Sequence, residues 1–147
     1  MRGYGWTALP RPDKYTGLWR GLDITRSTPV LALTNSSLDH DSDAGGNVNQ
    51  AYQWTDVKDQ ADLFQVRITG SHKDATFDLT PRRLGRFQVK PARKLRWQAT
   101  STPARRNTPA PPPQSGTVVV DKDGLFTLRG LKSLAHCVLT VTVTRAR

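Results

Sequence analysis

Apolar and polar positions alternate with a period of two along most of this chain. Phe64, Val66 and Ile68 interleave with Gln65, Arg67 and Thr69, and Gly70-Ser71 follows. Ala75, Phe77 and Leu79 interleave with Thr76, Asp78 and Thr80, and Pro81 is expected to end that strand. Leu95, Trp97 and Ala99 interleave with Lys94, Arg96 and Gln98, and Leu139, Val141 and Val143 with Thr140, Thr142 and Thr144. Successive side chains of a strand point to opposite faces, so each stretch buries one face and wets the other. Shorter signals join these. Thr28–Thr34 is an apolar run that reads as a buried strand. Val48, Gln50, Tyr52 and Trp54 alternate with Asn49, Ala51 and Gln53, which gives one aromatic face. Phe87 and Val89 lie opposite Arg86, Gln88 and Lys90. Val118 and Val120 lead to Asp121-Lys122-Asp123-Gly124, a hairpin turn with positive φ at Gly124, and Leu125–Leu128 returns. No helix-length segment shows a period near 3.6. The pattern predicts an all-β fold, an antiparallel two-sheet sandwich of the immunoglobulin or fibronectin kind with about eight short strands. Phe64, Val66, Ile68, Phe77, Leu79, Phe87, Val89, Trp97, Leu139, Val141 and Val143 form its expected core. Periodicity leaves the strand order open.

Composition pushes the same way. All twelve acidic residues are Asp, a residue of caps and turns, and there is no Glu, a better helix former. A chain of 147 residues fits one domain. Residues 1–27 read as an irregular arm pinned by Tyr4, Trp6, Tyr15 and Trp19, and residues 28–147 as a single sandwich domain. Within it, residues 101–116 read STPARRNTPAPPPQSG, which has no apolar face to bury and favours extended polyproline backbone. The chain after it is too short for a sheet with its own core, so this stretch is expected to be an exposed Pro-rich loop.

Charge adds a candidate site. The net charge is +10, unevenly spread. Between Asp78 and Asp121 there is no acid, yet Arg82, Arg83, Arg86, Lys90, Arg93, Lys94, Arg96, Arg105 and Arg106 all fall there. A hairpin with Lys90 opposite Lys94 sets Gln88 against Arg96 and Arg86 against Gln98. Arg86, Lys90, Lys94 and Arg96 then form a cation ladder. Like charges opposite one another destabilise a strand pair, so such a ladder needs solvent, an anion or an acidic neighbour. The partners this predicts are an acidic glycan surface or non-specific polyanions, nucleic-acid backbone included. Phe87 and Trp97 point away from these cations, so the stacking platform of a single-strand binder is missing. Trp6, Trp19, Tyr52 and Trp54 are candidates for stacking on pyranose rings.

Catalytic and metal signals are weak. There is no Gly-x-Ser-x-Gly elbow. His40 and His72 fall in expected loops, and Cys137 follows His136 directly, so on a strand the two point apart. Asp39, Asp41 and Asp43 alternate as in a calcium loop, but Ala44 and Gln50 stand where glycine and a bidentate glutamate belong. Arg106, Pro109 and Pro112 have the spacing of a polyproline ligand, which Pro-rich stretches reach by chance. No enzyme activity, cofactor or metal is expected. Met1–Trp6 lacks the apolar run of a signal peptide, no apolar run reaches membrane-span length, and one cysteine leaves the compartment open.

One stretch carries a family likeness. Thr80-Pro81-Arg82-Arg83-Leu84-Gly85-Arg86-Phe87-Gln88-Val89-Lys90-Pro91, closing on Leu95-Arg96-Trp97, resembles a run in C-terminal β-sandwich modules of bacterial hydrolases. Asp121–Leu128 is similar to the turn and strand that follow in such modules. Ala92 replaces a glycine of that pattern. The resemblance spans about residues 76–130 and implies a non-catalytic accessory domain, detached or truncated, that serves a catalytic domain or a glycan surface.

Overall fold

The computed structural model describes residues 29–37, 52–69 and 74–146. The arm at 1–27, the Asp39–Asp43 loop, Trp6, Trp19, His40 and His72 lie outside them. Eight strands are present among the described residues: β1 (Val30–Thr34), β2 (Gln53–Asp59), β3 (Leu63–Thr69), β4 (Ala75–Arg83), β5 (Lys94–Pro103), β6 (Gln114–Val119), β7 (Leu128–Ser133) and β8 (Cys137–Arg145). They form two antiparallel sheets, one of three strands in the order β1-β4-β7 and one of five in the order β2-β3-β8-β5-β6. The predicted two-sheet sandwich is therefore the fold. Against the immunoglobulin order of A-B-E-D over C-F-G, β1-β4-β7 take the A-B-E places and β5-β8-β3 take C-F-G. The order departs from it in three ways: no described strand takes the D place, β2 and β6 flank the C-F-G strands, and the strand in the G place precedes the B strand in the chain.

The core lies between the sheets. Leu31, Leu33, Phe77, Leu79, Leu128 and Leu131 enter from the small sheet. Trp54, Phe64, Val66, Ile68, Leu95, Ala99, Leu139, Val141 and Val143 enter from the large one. Each buried Val, Leu, Ile or Phe contributes roughly 1.5–3 kcal/mol relative to exposure. Every expected core residue is buried except Val89 and Trp97, which pack against the core half-exposed. Asp78 is the buried carboxylate of the small sheet. It accepts from Asn35 Nδ2 at 2.7 Å and from the Gly130 amide at 2.8 Å, tying β1 and β7 to the central strand.

Four local expectations are corrected. Residues 86–90 are not a strand. The Asp59 carboxylate collects the backbone N–H groups of Gly85, Arg86 and Phe87 at 2.5, 3.0 and 2.7 Å, which bends this segment across the sandwich. β5 pairs with β6 and β8 instead. The exposed loop is shorter than 101–116. Ser101–Pro103 complete β5 against Cys137–Leu139, and Gln114–Gly116 open β6, which leaves 104–113 as the loop. Asp121–Gly124 is a turn with Gly124 at φ 76°, closed by the Leu125 carbonyl accepting from Asp121, but it crosses between sheets rather than joining a hairpin. β4 runs through Pro81 to Arg83. The proline is tolerated because β7 pairs no further than Leu79, and the β1 register shifts opposite it.

Candidate anion-binding face

β5 places Lys94, Arg96, Gln98, Thr100 and Thr102 on one face, opposite Leu95, Ala99 and Ser101 in the core. Register extends that outer face across the sheet. Arg96 sits between Thr117 on β6 and Thr144 on β8, and Gln98 between Ser115 and Thr142. Directly opposed side chains have Cβ atoms about 4.5–5.5 Å apart, so these groups are in mutual reach. Beyond β8, Thr140 faces Arg67 and Thr142 faces Gln65 on β3. Arg96, Trp97, Gln98, Ser115, Gly116, Thr117, Thr142 and Thr144 line a shallow concavity of about 480 Å³. Hydroxyls, an amide and a guanidinium thus converge on one open surface.

Electrostatics favour an anion there. Among the described residues, the one salt bridge is Arg67 Nη1 to Asp56 Oδ2 at 3.0 Å, on the β3 side of the same face. Arg96 has no acidic partner among them. Thr, Ser and Gln surround its charge with neutral donors and acceptors.

The four predicted anion-binding cations divide. Lys94 and Arg96 share the outer face of β5. Arg86 and Lys90 are exposed on the connection before it, so no ladder of four forms. Lys94 faces Val119 rather than Lys90. That pairing sets no like charges against each other.

The stacking candidates on described residues are corrected too. Tyr52 and Trp54 share a face as the alternation predicts, but it is the inner one, and they are only 4% and 3% exposed. The Tyr52 ring packs on Phe77 with centroids 4.8 Å apart, and its hydroxyl lies 2.9 Å from Ser36 Oγ. Trp54 Nε1 is buried without a hydrogen-bond partner among the described residues. Neither ring can receive a sugar. Trp97 lies over Gly116, where an added Cβ would fall 2.9 Å from its Nε1.

Cys137 is buried opposite Pro103, and His136 occupies a turn position at φ 58°. No cluster of three or more metal-ligating side chains gathers among the described residues. Periodicity missed the part played by β6, because Ser115 and Gly116 fell inside the Pro-rich stretch. The available signal was the spacing of two between Ser115, Thr117 and Val119. No family model matches this chain, and no curated protein or solved structure matches it.

Proposed function

We propose that the chain is a non-catalytic β-sandwich module that binds an acidic glycan along the outer face of its five-stranded sheet. The observation that carries this reading is Arg96 in the open concavity, ringed by Gln98, Ser115, Thr117, Thr142 and Thr144. A carboxylated or sulfated sugar polymer offers a charge to the guanidinium and hydroxyls to the short polar side chains around it. Arginine suits carboxylate and sulfate geometry because its planar fork donates two parallel hydrogen bonds. Lys94 continues the positive charge along the same strand face. The likeness of residues 76–130 to hydrolase accessory modules supports the same role, that of holding a catalytic partner at a glycan surface.

Titration with polygalacturonate oligomers tests this, with single-stranded DNA of equal charge as the comparison. A hydrogen bond to a charged group is worth about 1.5–3 kcal/mol, so Arg96→Gln is expected to weaken polyuronate binding about tenfold or more. Arg86→Gln, on the connection, is expected to change it far less. Polyuronate binding that survives Arg96→Gln would place the anion site elsewhere. Tighter binding of the DNA at equal charge would make this a phosphate-backbone binder instead.

A further inference from the structure

Two sheets with free ends present edges, and a bare edge offers unpaired N–H and C=O groups to another strand. Three of the edges here are blunted. β2 is interrupted by a register shift between Thr55 and Lys58, holds Asp56 at φ 52°, and bears Asp56, Lys58 and Asp59. β7 is occupied at Lys132, whose N–H donates to Gln114 Oε1 at 2.8 Å and whose carbonyl accepts from Gln114 Nε2 at 2.9 Å. β1 has five residues and a register shift at Val30.

Among the described residues, β6 has none of these devices. Gln114-Ser115-Gly116-Thr117-Val118-Val119 contains no charge and no proline, and its pairing with β5 is regular throughout. Just beyond it, Val120 donates to the Arg93 carbonyl and accepts from Ala92, so its backbone groups turn toward the β5 side. Antiparallel alternation then turns the backbone of Ser115, Thr117 and Val119 outward. Among the described residues, Val119 is also the large apolar side chain left most open, at 56% exposure.

We propose that β6 pairs antiparallel with β6 of a second copy, joining two five-stranded sheets into one continuous sheet. The occupant follows from the edges themselves. On a chain of net charge +10, most surfaces repel a second copy, but this strand is uncharged. A dyad at Thr117 matches the three outward residues of each strand in about six hydrogen bonds. It also sets Thr117 against Thr117, a favourable cross-strand pair. On the inner face the same register places Gly116 opposite Val118 of the other copy, so the smallest side chain meets a β-branched one beside Trp97.

Sedimentation velocity of the full chain over a dilution series tests this, with amide exchange read at Ser115, Thr117 and Val119. The expected result is a monomer–dimer equilibrium in which those three amides exchange more slowly as concentration rises. Thr117→Pro removes only an outward N–H, which an edge strand tolerates, and Val119→Lys brings charge to the seam. Each is expected to raise the dimer dissociation constant at least tenfold, whereas Thr55→Lys on β2 leaves it unchanged. A chain that stays monomeric from micromolar to millimolar concentration overturns the proposal. So does a dimer that persists in both β6 variants, or one whose three amides exchange alike at every concentration.

Discussion

Tyr52 sits with its ring against Phe77 and its hydroxyl against Ser36. Burial raises its pKa above the usual 10.0, and the hydrogen bond to Ser36 pulls it back by a lesser amount. A raised value means that the folded state keeps its phenol proton to higher pH than the unfolded chain does. Below the unfolded value, both states are protonated and the contribution is complete. Above it the unfolded chain ionises first, so stability is lost as pH rises through the folded pKa. The melting temperature of the native chain should therefore fall more steeply from about pH 10 upward than that of Tyr52→Phe, which has no phenol to ionise. Parallel alkaline curves would show that burial of this hydroxyl carries no proton linkage. Alternation correctly set Tyr52 and Trp54 on one face, but it fixes only the phase of a strand. Which face meets the core depends on what lies opposite, here Phe77 of the other sheet.

At the scale of elements, alternation locates a strand where that strand satisfies its own pattern and misplaces one where a distant residue intervenes. β3, β4, β5 and β8 stand where their alternation put them. Residues 86–90 alternate just as well, yet their backbone is claimed by Asp59, distant in sequence. Periodicity carries no trace of a side chain capturing another segment's N–H groups. The same corner is fastened again by Arg145 Nη2, which donates to the Ala61 and Gln88 carbonyls at 2.9 and 3.2 Å. Phe87 then enters the core and meets Phe126 edge-on at 6.1 Å. Removing the carboxylate leaves three N–H groups short of an acceptor. Asp59→Ala is thus expected to lower stability by about 1.5–3 kcal/mol, the range for hydrogen bonds to a charged group, read by denaturant unfolding. An unchanged midpoint would mean that water replaces the carboxylate at no cost. The candidate site was half visible for a related reason. Lys94 and Arg96 were marked by charge, but their neighbours Thr117 and Thr144 arrive through register, which no single strand encodes.

For the molecule as a whole, charge and topology divide the labour. One face of the large sheet is open, polar and positive at Arg96, and its opposite face is core. The strand order that produces this face also dictates when it can exist. β2–β3 and β5–β6 are neighbours in both sequence and space, so each pair can zip as soon as it leaves the ribosome. β8 lies between them and is the last of the eight strands to be made. Until it arrives the two hairpins have no shared partner, and Phe64, Val66, Leu95 and Ala99 lack the row formed by Leu139, Val141 and Val143. A chain ending at Ala135 is accordingly expected to stay protease-sensitive and free of cooperative unfolding. Native-like protection in that shortened chain would show that the hairpins find each other unaided. The outer face around Arg96, which needs β8 beside β5, is therefore expected to close in one late step, when the last-made strand slides between two ribbons already paired.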